Sequence, residues 1–436
     1  MQKLLFSIAI FLVHFFGVAQ PNIILIESDD QSNVAVGAYR FGNIKTPNID
    51  KIAESGVYFT NAYNMGCWSP AVCIPSRTML FNGTFLWNAS KITKKNVPGP
   101  SLTERLKTAG YETYVTGKWH ALGKSPKATF DNYGTILPGQ LKTYNSKDGH
   151  YTDIVGKESV AFIKMAAKRK KPFFLYTAFN APHVPRQTEQ KYYDMYPPKE
   201  VILPPSVKAG PLHPNIKYNY TSAPLNPKTM KNRYQQNNAM VTHMDDRIGD
   251  IISALKNNGL YENSIIVFMS DHGISFGENG VAGKVCLYDI SAKAPLIIMG
   301  PGMPQNKKKK ERIYLQDIYP TILELVGIDI PEYIEFNSLV PQIEDNTIVS
   351  PYSSIYLAMF NDQRAIVKDN YKLILYPQAK AAELYNLKLD PWETKNIITD
   401  KTKTPTLKKM GAAMLQWQKN TGDTLNLKYI YPNYFK

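Results

Sequence analysis

The chain has 436 residues, with 51 Lys and Arg against 36 Asp and Glu, a formal charge of +15. A hydrophobic share of 44% and an aromatic share of 12% supply enough apolar surface to exclude a disordered chain. Three cysteines exclude a disulfide framework, and 26 Gly with 30 Pro show no collagen-like period. Lys3, the apolar run 4–16 and the small residues Gly17-Val18-Ala19 read as a signal peptide over 1–19. The run is shorter than the ~20 residues a membrane helix needs, so no stable membrane insertion is expected after its removal. The reading is an exported protein, periplasmic or secreted. Loss of Lys3 leaves +14 on the remaining chain, a balance suited to a polyanionic substrate. Nucleic acid is not expected as a partner, because no recognition motif is present and the basic residues are scattered. Residues 307–310, four lysines, are expected to form a solvated loop.

Residues 23–27 form a strand candidate, and Thr46-Pro47 opens a helix that Gly56 ends. Strand 57–61 follows. Ser101-x-x-Glu104 is a capping box for a helix stopping at Gly110, and 111–116 is strand-like. Lys171-Pro172 leads into the apolar run 173–178. In 240–255, Val241, Met244, Ile248, Ile251, Ile252 and Leu255 share one helical face. Strands at 264–269 and 295–299 and a helix at 317–326 complete the alternation, which predicts an α/β fold with a large, mostly parallel sheet covered by helices. Ten prolines between Pro182 and Pro227 mark a long irregular stretch, read as a binding surface. Beyond about residue 345, hairpin-like strands at 365–368 and 371–376 and a helix near 406–419 predict a smaller α+β subdomain with an antiparallel sheet. The expected division is 1–19 leader, 20–345 catalytic domain and 346–436 C-terminal subdomain.

Two apolar strands end in charge: 23–27 runs into Ser28-Asp29-Asp30, and 265–269 into Ser270-Asp271-His272-Gly273. Open α/β sheets bind ligands at such C-terminal strand ends. Neighbouring acids there repel unless a cation lies between them. For one cluster, helix capping or solvation is an equal reading; for two of one format, a divalent metal accounts for them better. Oxygen donors favour calcium or magnesium, while His272 keeps zinc or manganese open.

Cys73-Ile74-Pro75-Ser76-Arg77 resembles the C-x-P-S-R motif of type I sulfatases, in which the Cys becomes formylglycine (3-oxoalanine). Gly117-Lys118-Trp119-His120, Ala181-Pro182-His183-Val184-Pro185, Ser270-Asp271-His272-Gly273 and Gly283-Lys284 resemble further segments of that family, in its order. Segments at 317–322 and 383–391 resemble structural stretches of the family, so the likeness runs from residue 22 to about 420. It implies an alkaline-phosphatase-like fold and hydrolysis of sulfate esters. It also implies one calcium ion held by Asp29, Asp30, Asp271, His272 and residue 73. By the same resemblance Arg77 and Lys118 orient formylglycine, His120 assists sulfate expulsion, and His183 and Lys284 serve the sulfate and leaving group. A gem-diol at residue 73 offers one oxygen to attack sulfur and a second whose deprotonation expels sulfate. A formylglycine-generating or anaerobic sulfatase-maturating enzyme is then a required partner. The chain departs from the family at Asn82-Gly83, where Thr-Gly is usual, and at Gly277-Glu278-Asn279-Gly280, where Gly-Glu-His-Gly is common. His272 stands where some members have Asn.

The expected substrate is a sulfated polysaccharide of ulvan or glycosaminoglycan type. The charge, the 28 Tyr and the loop cations Arg186, Lys191, Lys199, Lys208 and Arg233 favour it. Small aryl sulfates are expected to be poor substrates. The alternatives are a phosphonate monoester or phosphodiester hydrolase, and a catalytically silent sugar-binding relative. His243 reads as an ordinary hydrogen-bonded histidine. Cys67 and Cys286 pair in one reading and stay free in another, and Trp68 is open between cleft and packing.

Overall fold

Period-two alternation in the apolar strands decides the layering, because successive side chains leave a sheet on opposite faces. A computed structural model describes residues 20–208, 226–345 and 347–435, so the expected leader and part of the Pro-rich stretch lie outside the described residues. Apart from two short two-stranded ribbons, the strands in chain order begin with β1 (Asn22–Ser28), β2 (Val57–Tyr63), β3 (Gly66–Cys67) and β4 (Glu112–Lys118). They continue with β5 (Asn132–Leu137), β6 (Phe173–Ala178), β7 (Ser264–Ser270), β8 (Leu296–Met299) and β9 (Lys307–Tyr314). The last four are β10 (Ile355–Met359), β11 (Gln363–Lys368), β12 (Tyr371–Tyr376) and β13 (Ala381–Asn386). The longer helices are α1 (Pro47–Glu54), α2 (Cys73–Asn82), α3 (Leu102–Thr108), α4 (Tyr151–Ala166), α5 (Pro227–Asn257), α6 (Ile318–Leu325) and α7 (Thr404–Thr421).

The large sheet has eight strands in the order β9-β2-β8-β7-β1-β6-β4-β5. All its pairs are parallel except those of β8, which runs antiparallel to β2 and β7. Ile24 and Ile26 pack with Ile52 of α1, Phe162 of α4 and Ile248 of α5 on one face. Ile23 and Leu25 pack with Leu80 of α2, Leu106 of α3 and Ile322 of α6 on the other. The α/β expectation is met. The second sheet, β13-β12-β11-β10-β3, is antiparallel except that β3 joins β10 in parallel, so it borrows a strand from the N-terminal part of the chain.

The Ser101–Glu104 capping box is present as read. Two expectations need correction. Residues 307–310 are not a loop; they begin edge strand β9, parallel to β2, with Lys309 buried. Exposed lysines on an edge keep its unpaired face from joining another chain, which reconciles the composition with the strand. Helix α5 starts at Pro227, well before 240, because Asn226 caps it by accepting from Thr229 N and Pro227 occupies the first turn. Cys67 and Cys286 are both buried free thiols, and Trp68 packs against the core beside the second sheet.

Arg364 of β11 ties this smaller sheet to the end of α7. Its Nε and Nη2 donate to Asp423 at 2.6 and 3.0 Å, and both side chains are buried. Removing one partner leaves a buried charge uncompensated. Asp423→Ala should therefore cost about 3–5 kcal/mol in urea unfolding. Asp369→Ala, which breaks the exposed pair with Lys409, should cost less than about 1 kcal/mol. Equal costs would contradict this reading.

Candidate active site

The register of β1 against β7 sets Ser28 beside Ser270, so the residues that follow, Asp29-Asp30 and Asp271-His272, leave the sheet side by side. Asp271 Oδ1 accepts from the backbone N–H of Asp30 at 3.2 Å and of His272 at 3.0 Å. Asp30 sits at φ 65, a left-handed conformation unusual for a residue with a Cβ, and these bonds hold it there. On the far side of β1, β6 and β4 end at the same edge; Lys118 is the last residue of β4, and the loops that follow carry His183 and His120. Gly117 is obligatory for this approach: its φ is +97, and a Cβ would lie 1.8 Å from the Ala178 carbonyl oxygen.

Cys73 is the first residue of α2. Its Sγ lies 3.3 Å from Asp29 Oδ1, 3.4 Å from His272 Nε2 and 3.3 Å from Lys284 Nζ. Sγ marks the position an oxygen would take after conversion to formylglycine. The rest of the pentapeptide is explained by its neighbours. Pro75 stands in the first helical turn, where a missing N–H is harmless. Ser76 Oγ donates to the Asp271 carbonyl at 2.6 Å. Arg77, one turn from Cys73, donates to Asp271 Oδ2 at 3.1 Å, Glu27 Oε2 at 3.0 Å and Tyr176 Oη at 2.7 Å. Lys118 forms a buried ion pair with Asp29, and Lys284 Nζ lies 2.9 Å from Asp30 Oδ1.

Both site histidines are oriented through Nδ1, His272 toward Gly273 O at 2.9 Å and His183 toward Val184 O at 2.8 Å. When neutral, each donates there and turns the Nε2 lone pair inward. His272 Nε2 lies 3.3 Å, and His183 Nε2 3.7 Å, from Asp30 oxygens. Burial would raise the Cys73 thiol, but Lys118 and Lys284 outweigh it and pull it down to about 6. Burial, with Cys73 adjacent, pushes the Asp29 carboxyl up to about 8 despite Lys118. Asp30 is held well below the carboxylate range: burial opposes this, and Lys284, His183 and His272 overcome it. Burial would lower His272, yet Asp271 and Cys73 raise it to about 9.

The donor atoms of Asp29, Asp30, Cys73 and His183 lie within 4.8 Å of one another, as do those of Asp29, Cys73, Asp271 and His272. Three carboxylates and two imidazoles around Cys73 fit a divalent ion, and the carboxylate oxygens suit a hard one. His120 stands at the rim of this group, its Nδ1 buried without a hydrogen-bond partner and its ring packed against Gly139. Burial, then Lys118 and Arg77, lower it to about 4, so it is neutral at pH 7. Every site residue read from the sequence lies in or beside this cluster.

Sequence reasoning gave no role to Glu27 or Tyr176, which anchor Arg77 from below. The available signal was an acid ending an otherwise apolar strand. Asn279, where the motif departs from the family, adopts φ 53 and donates to Glu393 O at 2.7 Å, which ties this loop to the C-terminal segment. His243 is an ordinary bonded histidine, between Thr188 Oγ1 at 2.9 Å and Asp153 Oδ1 at 3.0 Å.

Residues 21–328 match the family model described as Sulfatase, and residues 277–420 match N-sulphoglucosamine sulphohydrolase, C-terminal. A protein named Sulfatase from Formosa agariphila is 30% identical over 425 residues, covering 86% of this chain and 82% of that one. An Ulvan-active sulfatase of the same bacterium is 27% identical over 458 residues, covering 94% of this chain and 82% of that one. A solved structure of a protein with its substrate D-glucosamine-2-N,6-O-disulfate shares the fold. Its TM-score is 0.81 at 22% identity, over 93% of this chain and 99% of that one.

Arg77 compensates two buried acids, Glu27 and Asp271, so its removal should be felt in the fold as well as in turnover. Arg77→Met is expected to cost about 3–5 kcal/mol in denaturant unfolding. Arg77→Lys should also fail, since one ammonium cannot reproduce the fork between two carboxylates. Wild-type stability for either variant would contradict this role.

Proposed function

Since the chain belongs to the sulfatase family and is a sulfuric ester hydrolase, we propose that it desulfates a sulfated polysaccharide or its oligosaccharides outside the cytoplasm, using a formylglycine formed from Cys73 and one calcium ion. The observation that carries this reading is Cys73 at the start of α2, 3.3–3.4 Å from an Asp, a His and a Lys of the cluster. Formylglycine at this position supplies a nucleophilic oxygen and, by return to the aldehyde, an exit for sulfate that Ser or Cys lacks. Asp29, Asp30, Asp271 and His272 with residue 73 would hold the calcium, which when bound would supply Lewis acidity at the site.

The chain's own residues do the rest. Lys118 and Arg77 fix the carboxylates around residue 73, Lys118 through Asp29 and Arg77 through Asp271. Lys284, still cationic beside Asp30, binds the sulfate and offsets charge developing there. His183, with Nδ1 held by Val184 O, directs Nε2 to the leaving-group oxygen and protonates it when charged. His120 is neutral at pH 7, so it accepts a proton during sulfate expulsion without first losing one.

The charge of +14 outside the leader supports a polyanionic glycan. So do the ulvan-active relative and the solved structure with a disulfated glucosamine. Ulvan-type and glycosaminoglycan-type chains both fit. The leader at 1–19 supports export, and among the described residues no helix is long and apolar enough to cross a membrane. A formylglycine-forming maturation enzyme is then the partner that activates Cys73.

Cys73→Ser, made in a host that converts only cysteine, should lower turnover at least about a hundredfold while leaving the melting curve intact. Wild-type protein should cleave sulfated oligosaccharides faster than phosphonate or phosphate esters and faster than small aryl sulfates. Near-normal turnover in the Ser variant, or preference for phosphonates, would overturn the proposal.

A further inference from the structure

Arg186 is half-buried, and among the described residues no carboxylate lies within ion-pair distance of it. It lies three residues after His183, within about 10 Å along the chain. Its backbone is pinned: Tyr193 Oη donates to Arg186 O at 3.0 Å, Tyr144 Oη to His183 O at 3.0 Å, and Gln187 Oε1 accepts from Tyr144 N at 2.9 Å. The guanidinium rests over the Phe276 ring, 4.7 Å from its centroid. Its Nε is buried with no hydrogen-bond partner.

All Asp and Glu side chains of the chain belong to the described residues, since 1–19, 209–225, Asn346 and Lys436 contain none. None forms an ion pair with Arg186 or with Arg233 of α5, whose charge acts on Arg186 from nearby. By contrast, Lys191 of the same stretch is exposed and already paired with Glu189 at 3.0 Å. Burial lowers Arg186 to about 10 against the pull of Asp30, and Arg233 adds to the lowering, which leaves it charged at neutral pH. Asp30, the acid that attracts Arg186, is already engaged by Lys284 at 2.9 Å, so the planar fork of Arg186 suits an oxyanion's paired oxygens. Tyr144, whose hydroxyl is bonded to His183 O, acts on Arg186 as well.

We propose that Arg186, with Arg233 beside it, forms a subsite for a second anionic group of the substrate, a sulfate or a carboxylate on the sugar that carries the scissile sulfate or on its neighbour. This rests on the sulfatase reading and narrows it. The enzyme then selects glycan units bearing two acidic groups, and Arg186 sets that preference while the Asp29–Asp271 cluster performs the cleavage.

The test uses three matched sugars: one with the scissile sulfate alone, one with an added sulfate and one with an added carboxylate. Binding is measured by titration calorimetry in the Cys73→Ala protein, with and without Arg186→Gln, so the result does not depend on turnover. Arg186→Gln should weaken a doubly anionic sugar about 10- to 100-fold and the singly sulfated one far less. Whichever doubly anionic sugar loses more identifies the group recognised. Arg186→Lys should restore part of the loss, because it keeps the charge without the fork. Equal losses for all three sugars would overturn the subsite. In the Cys73-containing enzyme, failure to cleave any sulfate ester would instead remove the sulfatase reading, with the binding comparison still deciding the subsite.

Discussion

Asp29, Asp30 and Asp271 converge in a buried pocket where three like charges repel one another unless cations offset them. Most of the site follows from that single electrostatic problem. Lys118 answers Asp29, Lys284 answers Asp30, and Arg77 answers Asp271 while taking Glu27 as a second partner. Lys118 and Lys284 also draw the Cys73 thiol down against burial, and burial with Lys118 and Arg77 lowers His120. These donors would also hold a divalent ion, which would add to the same charge balance.

The fold supplies the convergence. Parallel pairing of β1 with β6 and β7 ends three strands at one edge, and β4 joins them through β6. A one-residue slip in any of these pairings would turn the acids onto the helix-covered faces. Gly117 and the left-handed Asp30 are local costs accepted to bring Lys118 and the Asp pair into one pocket.

Much of this was legible because the informative residues are local. The apolar run of β1 ending in Asp-Asp, the capping box of α3 and the Cys73–Arg77 pentapeptide each carry their meaning within a few positions. What escaped depends on contacts far along the chain. Glu27 and Tyr176 become site residues only when Arg77 arrives from α2. The lysines of β9 read as a loop because charge dominated, whereas pairing with β2 decides their conformation. The first half of α5 lacks a clear apolar face, and its start was marked only by Asn226-Pro227. Arg186 was visible as a basic loop residue, but its lack of a carboxylate at ion-pair distance and its place over Phe276 are three-dimensional facts.

Turnover is proposed to depend on a cation held by the carboxylate cluster. The most direct measurement is a calorimetric titration of chelator-stripped protein with calcium and with zinc, with cleavage of a sulfated oligosaccharide followed in parallel. The account predicts one calcium per chain, recovery of turnover with calcium ahead of zinc, and loss of binding in Asp271→Asn. Recovery with zinc alone, or full turnover in the stripped protein, would contradict it.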